Sequence, residues 1–367
     1  MDEQIHEETI LIALDLGNEQ IKIKTKNNEL IFPAAILDIE DTNMEFIIPS
    51  NDIFPVFKTA INENKGHYFG PTLTDIGYEE MWIRSTGYGI RRYNNETFMS
   101  MLTYALGLAV SEYGEGSYEV DIVIGLPVSE AGDSQSLDDT EAKRSICEYL
   151  SNTQNVTINE EKYQIDINKI KTVPQYFGTI VNLIDEEKTN KKEELLKGES
   201  EIIDLGGGTT VGATIKRFSF GRKSFNESWG VIDVIDRIRS QTGVDSNTLM
   251  NIFKSNRKDK KYVYELRGGK QTQDLTSIIN QARKYYTNHI LNKMRSEIRQ
   301  PEKLTAIYIT GGGANIILED KIKKEFPEVQ IVPESEMANV RGFYKLGKIF
   351  NVLEERKETQ VKEEKTN

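Results

Sequence analysis

One short pattern occurs twice in this chain, as Ile12-Ala13-Leu14-Asp15-Leu16-Gly17-Asn18 and, much later, as Ile202-Ile203-Asp204-Leu205-Gly206-Gly207-Gly208-Thr209-Thr210. Each copy is an apolar run that ends in an aspartate and a glycine turn, and each is followed by a second run of strand character, residues 20–24 and 211–215. The pattern predicts two β-hairpins, and its repetition predicts a duplicated fold. The residue types carry a chemistry. A glycine turn lets backbone N–H groups approach an anion without interference from a Cβ, and an aspartate at a strand end can hold Mg²⁺ directly or through water. One copy alone equally fits an ordinary tight hairpin. Two copies point to one polyphosphate gripped from both.

A third element joins them. Residues 303–310 (KLTAIYIT) have the pattern of a buried strand, and Gly311-Gly312-Gly313-Ala314-Asn315 then opens onto a helical pattern over residues 316–326. Such a strand, glycine turn and helix can take nucleotide phosphate or ribose at the helix start. A triple glycine also serves as a tight packing turn. Its position after two Asp-Gly hairpins favours the ligand.

The order Asp15-Leu16-Gly17-Asn18, Asp121-Ile122-Val123-Ile124-Gly125-Leu126-Pro127, Val173-Pro174-Gln175, Asp204-Leu205-Gly206-Gly207-Gly208-Thr209 and Thr310-Gly311-Gly312-Gly313-Ala314 resembles the actin, sugar kinase and heat-shock chaperone ATPase superfamily. Within it the chain is most similar to the ParM/StbA group of bacterial actin-like plasmid-segregation proteins. Ala338-Asn339-Val340-Arg341-Gly342-Phe343-Tyr344-Lys345 resembles the last helix of that group and is the most group-specific piece. The resemblance spans roughly residues 10 to 350. It implies an α/β fold of two duplicated actin-like (ribonuclease H-like) domains, each a mixed sheet flanked by helices, with a nucleotide cleft between them. The domains would be residues 1–174, with a small outer subdomain at about 30–90, and residues 175–336. A crossing helix, 337–355, would return to the first domain, and 356–367 would form a disordered charged tail.

At 367 residues the chain has length for two domains of about 150 residues, each with its own core. Its 38% hydrophobic and 28% charged content suits a soluble globular protein. No apolar stretch approaches the ~18 residues that span a bilayer, and the acidic N-terminus (MDEQIHEET) is no signal peptide, so the expectation is cytoplasmic, without membrane contact. A formal charge of −12 argues against extended contact with nucleic acid, so a DNA role would go through an adaptor. Cys147, the single cysteine, lies among helix-patterned residues and reads as a small buried thiol rather than a nucleophile. His6, His67 and His289 have no ligand-like spacing, and no zinc site is indicated.

Strand-like runs at 10–15, 20–24 and 30–36 precede a less regular stretch to about Arg84, which includes the short run 44–48. Residues 95–111 have helical periodicity and 120–126 return to a strand. Pro174 suits the first turn of a helix over 175–185. The charged run 186–200 reads as a solvated loop or short surface helix. Further helices are expected from Ser228-Trp229-Gly230-Val231 onward and over 275–298. A strand at 262–266 would enter the turn Arg267-Gly268-Gly269-Lys270, and 336–353 would form the second crossing helix.

In this reading Asp15 organises Mg²⁺, and Gly17 and Asn18 contact the phosphates. Asp204 positions metal or water from the other hairpin, and Gly206, Gly207, Gly208, Thr209 and Thr210 hold the outer phosphates. The resemblance places a glutamate or glutamine at the start of the first crossing helix, which makes Gln175 the residue that orients attacking water. A glutamine aligns water but is a poor base, so hydrolysis would be slow. Gly311, Gly312, Gly313, Ala314 and Asn315 would pass the adenosine, and the resemblance adds Arg283 and Lys284 for ribose and base. Trp229, Tyr285 and Tyr286 read as packing residues.

The function implied is an ATP- or GTP-hydrolysing protein that assembles into filaments and moves plasmid DNA through a DNA-binding adaptor at a centromere. Alternatives are a small-molecule kinase of the same superfamily, which would need a catalytic carboxylate and a sugar-binding motif not found here, or a cell-shape or cell-division actin homologue. A chaperone would carry a substrate-binding β-domain after the final helix, and the chain ends shortly beyond it.

Overall fold

The computed structural model describes residues 9–39, 54–62, 64–77, 79–85, 90–127, 140–184, 195–217, 219–255, 261–266 and 270–351. The sequence-predicted run 44–48, most of the charged run 186–200, the turn at 267–269 and the tail 356–367 lie outside them. The chain divides into two compact units, one of Met1–Asn182 with Asn339–Asn367 and one of Leu183–Ala338.

The first unit contains β1 (Ile10–Leu16), β2 (Gln20–Lys24), β3 (Glu29–Pro33), β4 (Ala35–Asp38), β5 (Val56–Thr59), β6 (His67–Tyr68), β7 (Ile83–Arg84), β8 (Gly116–Leu126), β9 (Gln154–Ile158) and β10 (Glu161–Pro174). They form one sheet in the order β3-β2-β1-β8-β10-β9-β5-β6-β4-β7. β1 pairs antiparallel with β2 and parallel with β8, and β8 pairs parallel with β10. Ile12, Ala13 and Leu14 in β1 are all fully buried, as befits a central strand covered on both faces. β2 instead alternates half-buried and buried positions.

Helix α1 (Glu96–Val110) is capped by Asn95, whose side chain accepts from the Phe98 N–H, and it is buried along most of its length. α2 (Glu141–Leu150) carries Cys147, which is half-buried rather than enclosed. A smaller core of Ala35, Leu37, Val56, Tyr68, Leu73 and Trp82 lies in the stretch expected to form an outer subdomain.

α3 (Gln175–Ile184) meets the helix at residues 338–351 at very close range. A Cβ on Gly342 would lie 1.7 Å from the Gly178 carbonyl oxygen, so the two backbones approach as only glycine allows. Beside that contact the Thr179 N–H and hydroxyl both donate to Asn339 Oδ1, at 3.2 and 2.7 Å. This gives the group-specific segment 338–345 a physical meaning: its Asn and Gly are the docking surface for α3. Pro174, expected in the first turn of that helix, is instead the last residue of β10, and the helix begins at Gln175.

The second unit holds β11 (Glu199–Leu205), β12 (Thr210–Lys216), β13 (Ser219–Glu227), a hairpin of β14 (Val263–Leu266) and β15 (Gln271–Asp274), then β16 (Ala306–Thr310) and β17 (Val329–Ile331). Its main sheet runs β13-β12-β11-β16-β17. β11 is antiparallel to β12 and parallel to β16, which is parallel to β17. The first unit repeats this pattern in β3-β2-β1-β8-β10, with β1 in the place of β11. The duplication expected from the repeated motif is therefore a duplication of topology.

Helices α4 (Val231–Thr242), α5 (Ser246–Ser255) and α6 (Thr276–Glu297) enclose the second core. The helical pattern over 316–326 shrinks to α7 (Glu319–Lys323), after a single 3₁₀ turn at Gly312–Asn315. Tertiary contacts overrule the periodicity. Arg283 takes the Ile316 and Ile317 carbonyls, and the Leu318 N–H donates to the Thr287 hydroxyl, so these groups are spent outside a helix. Among the described residues no helix is long and apolar enough to cross a membrane.

Candidate functional site

In the first unit the carboxyl ends of three parallel strands are in register, with Asp15 opposite Gly125 and Gly125 opposite Val173. In open α/β sheets, ligand sites form beyond such ends. Asp15 stands there 3% exposed. Its Oδ2 is 3.1 Å from the Lys22 ammonium, and its Oδ1 accepts from Gln175 Nε2 at 3.0 Å. β10 runs straight into α3, so the residue that opens the helix reaches across to the aspartate of the first hairpin. The Gly17 and Asn18 turn is half-buried, and the buried Arg92 donates to the Leu16 and Gly17 carbonyls, at 2.5 and 2.9 Å. With those carbonyls engaged from within, the turn's shape is fixed by a side chain far away in sequence.

In the second unit Asp204 pairs with Val211 across the hairpin and with Thr310 on the parallel side. The Gly206 N–H donates to the Thr209 carbonyl at 2.9 Å and closes the turn. The Gly206 and Gly207 carbonyls accept from the Val231 and Ile232 N–H groups, so the turn sits on the start of α4. Thr210 is fully buried and donates to the Trp229 carbonyl at 2.9 Å, which gives it a fastening role. Among the described residues, the Gly207, Gly208 and Thr209 N–H groups have no protein acceptor. Three successive uncommitted amides form the kind of concavity that binds an anion.

Gly311 follows β16 with φ +83° and ψ 172°, a region essentially reserved for glycine. A Cβ there would lie 2.4 Å from Asp204 Oδ1 and 2.6 Å from the Leu205 carbonyl oxygen, so the triple glycine lies directly on the end of the second hairpin. Its N–H donates to the Ser335 carbonyl, and the Ser335 hydroxyl donates back to the Gly311 carbonyl. Gly313 and Ala314 are buried in the 3₁₀ turn, whereas Gly312 and Asn315 are half-buried.

Asp204, the 206–210 turn and the 311–315 turn are thus one cluster, and Asp15, Gly17, Asn18 and Gln175 form the corresponding cluster of the first unit. Arg283 bonds to the Ile316 and Ile317 carbonyls and, at 3.2 Å, the Tyr262 hydroxyl, which makes it the brace of the glycine segment; Lys284 is exposed on α6. Trp229 stacks on Tyr286 with ring centroids 5.0 Å apart, as a packing pair.

The sequence pattern does not mark Lys22, Arg92 or Tyr286 as parts of either site. Lys22 had a signal, since a hairpin closed at Gly17 places it opposite Asp15. Arg92 and Tyr286 had none, because only the tertiary fold brings them to the turns. Among the described residues no cluster of three or more His, Cys, Asp or Glu is placed to hold a metal ion. One carboxylate at each turn suits a hard cation that arrives with its own phosphate ligands rather than one caged by protein oxygens.

Two family models match the chain: the actin-like proteins N-terminal domain over residues 13–178, and the Alp7A C-terminal domain over residues 199–334. No curated protein matches it. Among solved structures it is similar to apo pSK41 ParM, with 21% identity and a TM-score of 0.70, over 94% of this chain and 98% of that one. It is similar to Ta0583, an archaeal actin homologue, at 18% identity and a TM-score of 0.71, over 93% and 99% of the two chains. Actin-like protein Alp7A gives 15% identity and a TM-score of 0.75, over 96% and 100%. At these identities the structural likeness establishes an actin-like fold.

Proposed function

We propose, from the premise that this chain belongs to the actin-like protein family, that it is a nucleotide-dependent, filament-forming ATPase that positions plasmid DNA through a DNA-binding adaptor. The observation that carries this reading is the hydrogen bond from Gln175 to Asp15 at the carboxyl ends of the parallel strands. It joins a water-orienting side chain to a carboxylate suited to phosphate-bound metal. Similar proteins support the ligand and the assembly: Ta0583 has been solved in complex with ADP, Bacillus thuringiensis ParM with ATP, and Alp12 as a filament.

In this mechanism Gly17 and Asn18 take phosphate oxygens at one turn. The Gly207, Gly208 and Thr209 amides take them at the other, with Gly206 and Thr210 holding that turn in shape. Asp15 and Asp204 would hold Mg²⁺ through water, and the ion would supply charge neutralisation for the phosphates. Gln175 aligns the attacking water without removing its proton, so turnover is slow. Gly311 to Asn315 lie along the nucleoside, Arg283 braces that segment, and Lys284 stands on the neighbouring helix face. Filaments follow from heterologous association, since a head-to-tail contact whose rotation does not close yields an open polymer. The acidic net charge of −12 fits DNA contact through an adaptor rather than direct binding.

The test combines light scattering with phosphate release. ATP added to the purified protein is expected to raise scattering and to start slow phosphate release. Gln175→Ala is expected to keep nucleotide affinity and to lower release by about 10²-fold. Unchanged release removes Gln175 from the mechanism, and a protein that stays monomeric with ATP refutes filament assembly.

A further inference from the structure

Tyr286 on α6 is fully buried, and its hydroxyl has no hydrogen-bond partner among the described residues. An unsatisfied buried hydroxyl is costly, whereas a phenylalanine would fill the same space without that cost. The position of the hydroxyl is specific. A Cβ on Gly313 would lie 2.3 Å from Tyr286 Oη, and the same added atom would lie 2.8 Å from Leu205 Cβ. The hydroxyl is therefore lodged beneath the triple-glycine turn, next to the strand end that carries Asp204. Burial raises the phenol's pKa far above its ordinary range, and the Asp204 and Asp233 carboxylates raise it further. The Asp233 carboxylate already accepts from the Gly230 N–H at 2.8 Å. Asp204 is the acceptor whose surroundings a ligand at the glycine turn would change, because Gly311 packs against its Oδ1.

We infer that Tyr286 is a positioning residue for this site: when nucleotide occupies the Gly311–Gly313 turn, the buried hydroxyl donates to the Asp204 carboxylate and stabilises the loaded state. The inference rests on the nucleotide reading above. A phenol donating to a carboxylate is a charge-assisted bond, and it is gained on binding rather than on folding. Tyr286 thereby fixes the orientation of Asp204 without touching the nucleotide.

The experiment compares the full-length protein with Tyr286→Phe, Asp204→Asn and the double variant, by calorimetric titration with Mg-ATP and by thermal melting without nucleotide. Tyr286→Phe is expected to weaken ATP binding about tenfold, while its nucleotide-free melting temperature is unchanged or higher. In the Asp204→Asn background the same substitution is expected to have a much smaller effect on affinity. ATP should also red-shift the near-ultraviolet tyrosine absorption of the wild type, and this difference band should be missing from Tyr286→Phe. Equal affinity of wild type and Tyr286→Phe overturns the inference alone. So does a lower nucleotide-free melting temperature, which would mark the hydroxyl as merely structural, or an undiminished loss in the Asp204→Asn background. A wild type that binds no nucleotide overturns both this inference and the reading on which it rests.

Discussion

The three glycines of the 311–313 turn are chemically identical, and the structure gives two of them opposite tolerances. Gly311 has φ +83° and ψ 172°, and holding a residue with a Cβ there costs about 1–3 kcal/mol. Its added methyl would also stand 2.4 Å from Asp204 Oδ1 and 2.6 Å from the Leu205 carbonyl oxygen. The second contact is with backbone, so relief requires the end of β11 to move, which adds about 1–3 kcal/mol. The sum for Gly311→Ala is about 2–6 kcal/mol, and at about 2–4 °C per kcal/mol for a domain of this size the melting temperature falls by about 4 °C or more. Gly312 does not have a positive φ, and the nearest atom to its added Cβ is Glu336 Oε1, at 3.8 Å. Gly312→Ala is therefore expected to stay within about 0.5 kcal/mol of wild type. Differential scanning calorimetry of both variants decides the matter, and equal melting temperatures would refute the reasoning. Titration with ATP adds a second result. If nucleotide lies along this turn, Gly312→Ala weakens binding although it leaves the fold intact.

Two further predictions concern stability. His67 is buried with its Nδ1 2.9 Å from the Tyr104 hydroxyl, and burial holds its pKa below 6.5, with Lys65 opposing the proton and Asp38 favouring it. The folded protein thus keeps His67 neutral where the unfolded chain protonates it, so its contribution is complete above pH ~6.5 and is lost on acidification, by at most about 1.4 kcal/mol per pH unit. Urea unfolding at several pH values should show this decline, and His67→Asn should lack it; parallel pH curves would refute the assignment. Asn339→Ala removes the acceptor of both Thr179 bonds and is expected to cost about 1–3 kcal/mol, seen as a lower urea midpoint, and an unchanged midpoint would show that α3 docks without that contact.

The two hairpins, the strand before the triple glycine and the long helices were legible because each depends on local pattern: period-two or 3.6-residue apolar spacing bounded by glycine or a capping residue. The segment after the glycines departs from its periodicity for a physical reason. Its periodicity is helical, yet Arg283 and Thr287, which lie far off in sequence, take the backbone groups a helix would need. Arg283 illustrates the same limit from the other side, since composition marks it as a cation while the fold spends its guanidinium on carbonyls and a phenol.

The sequence by itself determined which residues could meet a polyphosphate: two aspartates at strand ends, two glycine turns, a third glycine turn and a glutamine after a proline. It also determined that the pattern repeats, because duplication leaves the same residue types in the same local order. Only the tertiary structure decided that Gln175 bonds to Asp15, that Arg92 sets the shape of the first turn, and that Tyr286 ends beneath the third. Those relations depend on strand register and on which helix packs over which strand end. Register is set by the burial of whole faces rather than by any neighbouring pair of residues.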